Sequence, residues 1–200
     1  RSIEEYRKVT VLNPKFAPAY YNLGNGYFQQ EKLDAAIEEW QKALVINPQF
    51  AEVHYNLGNA FHSKGRKEEA MKHWEKALEL DPQFAVALYN IGTIKVESGD
   101  LDGAMELWEK TIEMNPNFAR AHYNIGNMHW EQGNIDLAIA GWEKASNAEH
   151  VVLDIEHAHL LMEAAKLHVR TPEDIRQVLK GAKATWAVAA AFIVTSLTLT

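Results

Sequence analysis

The side chains best suited to chemistry in this chain are amides, and they recur. Tyr21-Asn22, Tyr55-Asn56, Tyr89-Asn90 and Tyr123-Asn124 stand 34 residues apart, and three residues after each Asn come Asn25, Asn59, Thr93 and Asn127. A carboxamide carries both donor and acceptor, so asparagines at a fixed rise can pair with the N–H and C=O groups of an extended peptide whatever its sequence. One turn further along the same register, Phe28, His62, Val96 and Trp130 would supply side-chain selectivity. The same residues can equally serve packing and hydrogen bonding between repeats, and the sequence leaves both roles open.

Catalytic chemistry has no comparable signal. No Gly-rich phosphate loop, nucleophile elbow or paired-carboxylate constellation is present, so no catalytic residue is expected. The absence of cysteine excludes disulfides, zinc–thiolate sites and a cysteine nucleophile. The cluster of His150, His157 and His159 beside Asp154 and Glu156 does not read as a metal site, because His157 and His159 fall on different faces of a helix. His54 and His122 read as interior packing residues. No cofactor or metal is expected.

The elements that carry the amides follow from the rest of the period. Asn13-Pro14, Asn47-Pro48, Asp81-Pro82 and Asn115-Pro116 are each followed two residues later by a Phe, and Gly24/Gly58/Gly92/Gly126, Ala36/Ala70/Ala104/Ala138 and Trp40/Trp74/Trp108/Trp142 keep the same register. Such a period specifies a solenoid of stacked helix pairs that presents an extended binding surface. Apolar residues at helical spacing, such as Ile37, Trp40, Ala43 and Leu44, predict first helices over 17–30, 51–64, 85–98 and 119–132, and second helices over 33–46, 67–80, 101–114 and 135–147. Gly65, Gly99 and Gly133 fit left-handed turns that end the first helices, and Glu31 takes that place in the first unit at a modest penalty. The tryptophans Trp40, Trp74 and Trp108 are expected in the core, Trp130 on the exposed concave face.

The segment from Ala51 to Phe84 resembles a tetratricopeptide repeat (TPR), with Leu57-Gly58, Phe61, Ala70, Trp74, Ala77 and Pro82 in signature slots. Four such units cover 17–148. Lys95 and His129 depart from the aromatic slot of Tyr27 and Phe61, Thr111 replaces the second-helix Ala, and His150 stands where a Pro would close the fourth unit. The resemblance implies an all-α fold: a right-handed TPR solenoid of antiparallel helix pairs. Residues 1–16 fit the second helix of a preceding repeat, 149–181 capping helices, and 182–200 a hydrophobic C-terminal helix.

The Asn stripe is similar to that of the repeat region of O-linked N-acetylglucosamine transferase, where concave asparagines hold a peptide backbone. By that likeness Tyr21, Asn22, Asn25, Phe28, Tyr55, Asn56, Asn59, His62, Tyr89, Asn90, Tyr123, Asn124, Asn127 and Trp130 are the expected partner-binding residues. TPR clamps that capture chaperone C-termini place Lys and Arg on this face; here it holds Tyr, Asn, Glu52, Glu97 and Glu131, with Arg120 the one strong cation. A net charge of −7 speaks against nucleic acid as a main partner. The expected function is a non-enzymatic scaffold binding a partner protein or extended peptide; the alternative is the substrate-recognition arm of a larger enzyme such as a glycosyltransferase.

Residues 184–200 carry no charge. As a helix they would span about 25 Å, near the lower limit for crossing a membrane. Lys166, Arg170, Arg176, Lys180 and Lys183 precede them, and Trp186 fits an interfacial aromatic. The expectation is a membrane-associated protein in a multi-subunit complex, its repeats on the cytoplasmic side; the alternative is a soluble cytoplasmic protein whose last helix caps the solenoid.

Overall fold

A computed structural model describes residues 3–147. Nine helices, with no strand, make up the described residues: α1 (Ile3–Leu12), α2 (Ala17–Gln29), α3 (Leu33–Ile46), α4 (Ala51–Ser63), α5 (Lys67–Leu80), α6 (Ala85–Glu97), α7 (Leu101–Met114), α8 (Ala119–Glu131) and α9 (Ile135–Asn147). The second helices coincide with the boundaries expected from apolar spacing, and the first helices end one residue earlier. The expected capping helices over 149–181 and hydrophobic helix over 182–200 lie outside the described residues, as does the cluster around His157. Among the described residues, no helix is long and apolar enough to cross a membrane.

Two local devices set the repeat. The first is the turn after each first helix. In the second repeat the Gly65 N–H bonds the His62 carbonyl at 2.8 Å and the Arg66 N–H bonds the Phe61 carbonyl at 2.9 Å. That double closure needs a residue in the left-handed region, which Gly65, Gly99 and Gly133 occupy at φ 73°, 84° and 79°. Glu31 occupies it at φ 59°, the one non-glycine to do so among the described residues.

The second device follows each second helix. The side chain of the Asn or Asp before Pro accepts the backbone N–H two residues on: Gln49 to Asn47 at 3.2 Å, Gln83 to Asp81 at 3.0 Å and Asn117 to Asn115 at 3.2 Å. Pro ends the helix because it disfavours helical backbone at the preceding residue, and the Asx turn then aims the chain into the next first helix. Neither device requires a distant contact, so each turn is written locally.

The described residues divide into two compact units, one up to Lys110 and one from Thr111 onward. In the first, α2 packs on α3 and α4 on α5, while α1 meets α2, α3 meets α4 and α5 meets α6. Its core joins Trp40, Trp74, Leu57, Val53, Phe61, Ile91 and Ile94. In the second, α8 packs on α9 around Trp142, which is 1% exposed. The glycines of the first helices explain the close approach: a Cβ on Gly58 would stand 2.4 Å from the Trp74 ring, and one on Gly126 2.8 Å from the Trp142 ring.

Candidate partner-binding face

The indole N–H of each core tryptophan determines how the asparagines are used. Trp40 Nε1 donates to the Tyr21 carbonyl at 3.2 Å and to Asn25 Oδ1 at 3.1 Å. Trp74 repeats this with the Tyr55 carbonyl and Asn59 Oδ1, both at 3.2 Å, and Trp142 donates to Asn127 Oδ1 at 2.9 Å. An indole nitrogen only donates, so the amide atom facing it must be the oxygen. A buried ring thereby keeps its one polar atom satisfied. In the third repeat Thr93 turns its hydroxyl to the Tyr89 carbonyl at 3.1 Å, and Trp108 donates to that same carbonyl at 3.2 Å.

In the second and third repeats the asparagine of the Tyr-Asn pair reaches backwards. Asn56 Nδ2 donates to Asn25 Oδ1 at 2.8 Å and Asn90 Nδ2 to Asn59 Oδ1 at 3.3 Å, linking α4 to α2 and α6 to α4. Asn22 donates to the Pro18 carbonyl in its own helix at 2.8 Å. Each step in the first unit is therefore a relay: one carbonyl oxygen accepts both the indole of its own repeat and the amide of the next. This arrangement does not confirm the likeness to the transferase stripe, because Asn25 and Asn59 are engaged within the fold. Asn56 and Asn90 retain a carbonyl oxygen and a second N–H in chemical capacity.

The aromatic residues of the stripe are also tied in. Tyr21 lies against Phe50 at a centroid distance of 5.1 Å and Tyr55 against Phe84 at 5.0 Å. All four tyrosines and the asparagines beside them, Asn22, Asn56, Asn90 and Asn124, are half-buried. The expected selectivity slot leans on the core: Phe28 on Trp40 at 5.6 Å, His62 on Trp74 at 5.7 Å and Trp130 on Trp142 at 5.9 Å. His62 stays exposed, whereas Trp130, expected on an open face, is half-buried because its ring covers the partner indole. The amide-to-indole relay was the element missed in the sequence; its signal is the fixed 15-residue spacing of Asn25, Asn59 and Asn127 from Trp40, Trp74 and Trp142.

Paired helices in tandem, with a repeated half-exposed stripe on the first helix of each pair, define a helical-repeat interaction module. Residues 24–65 and 92–133 match the family model of the TPR repeat, and residues 51–84 match that of the tetratricopeptide repeat. Among solved structures, MamA is 32% identical over 74% of this chain and 86% of its own, with a TM-score of 0.64. A second structure of MamA protein is 30% identical over 76% and 86%, with a TM-score of 0.61. YrrB, described as a TPR protein with an unusual peptide-binding site, shares the fold at 23% identity over 90% and 91%, TM-score 0.67. A comparison with curated proteins returns no match. The chain belongs to the tetratricopeptide repeat family, and its class is that of a protein–protein interaction scaffold.

Proposed function

We propose that the chain is a non-enzymatic scaffold that takes an extended segment of a partner protein along the Tyr-Asn stripe, with Tyr21, Asn22, Tyr55, Asn56, Tyr89 and Asn90 as the contact residues of the first unit. The observation that carries the reading is the identical register of these half-exposed residues on α2, α4 and α6. These residues are only half-buried, and a carboxamide that donates one N–H, as those of Asn56 and Asn90 do, also carries an acceptor oxygen and a second N–H. Tyr123, Asn124, Asn127 and Trp130 carry the same pattern in the second unit. The net charge of −7 supports a protein partner over nucleic acid.

The test uses a displayed library of random peptides selected on the full chain. Bound peptide is expected to shift the side-chain amide resonances of Asn22, Asn56 and Asn90. Replacing Asn56, Asn90 and Asn124 together by Ala should weaken binding on the order of tenfold to a thousandfold, from roughly 0.5–1.5 kcal/mol per hydrogen bond. Perturbations confined to other surfaces, or full binding by a folded triple variant, would remove the stripe from consideration.

Membrane tethering through 184–200, as part of a multi-subunit complex with the repeats on the cytoplasmic side, is the accompanying proposal. It is supported by the uncharged run and its basic approach. The full chain should then resist carbonate extraction from membranes, and Ala190→Asp with Val194→Arg should release it. A freely soluble full chain in cells would refute the tether.

A further inference from the structure

Inside the helix pair of the second repeat, His54 of α4 and His73 of α5 meet with their Nδ1 atoms 3.1 Å apart and ring centroids 5.3 Å apart. The equivalent pairs are Tyr20 with Glu39 in the first repeat, Leu88 with Leu107 in the third and His122 with Gly141 in the fourth. A slot that the third repeat fills with two leucines therefore holds two imidazoles here. His54 Nε2 lies 3.3 Å from the Pro48 carbonyl, which can only accept, so Nε2 carries the hydrogen and neutral His54 presents a bare Nδ1. His73 Nδ1 must then donate. The His73 ring stacks on Phe61 at 5.3 Å and 17°, and the Arg66 guanidinium covers Phe61 at 4.6 Å.

With both rings protonated, donor faces donor and the bond is lost. A single proton leaves one N–H···N bond in place, but it puts a cation in a half-buried slot. Few charges offset it. Glu69 on α5 acts on His73, while Lys76 and Glu79 on α5 oppose one another at His54. Glu69 is itself engaged by Arg66. On the neighbouring helices, Glu39 of α3 pairs with Lys42, Lys95 of α6 with Asp100, and Glu97 of α6 with Lys67. Among the described residues no carboxylate is hydrogen-bonded to either imidazole. Burial above all, reinforced by the neighbouring His54, pushes the His73 imidazole down to about 4, and burial lowers His54 as well.

We propose that the His54–His73 pair is a proton-operated latch: neutral, it closes α4 on α5, and mild acid opens the second repeat in preference to the first. Amide hydrogen exchange on the full chain, corrected for intrinsic exchange and compared at about pH 7 and about pH 5, tests it. Protection of α4 and α5 should fall on the order of tenfold more than protection of α2 and α3. The double variant His54→Leu with His73→Leu, which copies the Leu88–Leu107 pair of the third repeat, should abolish that excess. An equal fall in both helix pairs, or an excess that persists in the double variant, overturns the latch. Should the double variant fail to fold, ring-proton NMR of the wild-type chain decides: His73 still neutral at about pH 5.5 supports the latch, and titration near the ordinary value of about 6.5 overturns it.

Discussion

Asn56 donates its side-chain amide to the Asn25 carbonyl oxygen at 2.8 Å, and that same oxygen accepts the Trp40 indole N–H at 3.1 Å. Adjacent repeats are thus joined through one atom that also satisfies the core of the first. Such a shared acceptor makes the Asn a framing residue as well as a surface one, because its loss affects a buried ring and an inter-repeat bond together.

Asn25→Ala should therefore cost more than a half-buried Asn ordinarily does. Trp40 would keep the Tyr21 carbonyl but lose Asn25, and half-buried Asn56 Nδ2 would lose its partner, about 0.5–1.5 kcal/mol for each hydrogen bond lost. Asn22→Ala, which removes only a bond within α2, should cost about 0.5 kcal/mol or less. Urea titrations followed by circular dichroism check the ranking; equal midpoints for the two variants would argue that the relay carries no stability.

Gly58→Ala sets two effects against each other. Alanine in a helix interior gains about 0.5–1 kcal/mol over glycine. Its Cβ, however, would stand 2.4 Å from the Trp74 ring, which is 2% exposed and has no room to swing aside. Overpacking of that kind costs about 1–3 kcal/mol, so the net effect should be destabilising. A thermal midpoint equal to or above the wild-type value would show that the indole can yield.

The left-handed turns give a pair of opposite predictions. Glu31 holds φ 59° where the other three units place glycine, a conformation that costs an L-residue about 1–2 kcal/mol. Glu31→Gly should stabilise by up to about 1 kcal/mol after the greater entropy of the unfolded glycine is subtracted. Gly65→Ala, at φ 73° with open space around the new Cβ, should destabilise by about 1 kcal/mol through backbone strain alone. Chemical denaturation of the two variants, run side by side, checks both signs.

Local features were the ones the sequence disclosed. Helix ends came from Asn-Pro steps and from Gly65, Gly99 and Gly133 because each acts on the backbone within a few residues of itself. Core residues such as Trp40 and Trp74 came from helical spacing against Gly24 and Gly58. What the sequence withheld was direction. An Asn amide is chemically the same whether it turns to a peptide or to a neighbouring Asn, and only three-dimensional proximity shows Asn25 facing both Trp40 and Asn56. Trp130 illustrates the same limit: its register placed it on the first-helix face, but the tilt against Trp142 at 5.9 Å is a packing outcome that no spacing encodes.

Acid should destabilise this fold in two separable windows. His73 is held down at about 4 in the folded chain, whereas an unfolded histidine titrates near 6.5. Between those values the unfolded state binds the extra proton, so stability declines as pH falls from about 6.5 to about 4 and is unaffected by this group above that range. The carboxylates Glu69, Glu97, Asp100 and Glu106 are shifted the other way, each lowered by a side-chain hydrogen bond from Arg66, Lys67, Lys95 and Lys110 respectively. Their contribution is present above the ordinary carboxylate range and is lost as pH falls from that range through their lowered folded values; as exposed pairs they contribute little each. Urea midpoints measured at several pH values should therefore begin to fall near pH 6.5 in the wild-type chain. In the His54→Leu, His73→Leu variant the decline attributable to this pair should vanish, leaving a later onset near pH 5. A wild-type midpoint that stays flat down to about pH 5 would mean that the imidazole pair accepts its proton without cost.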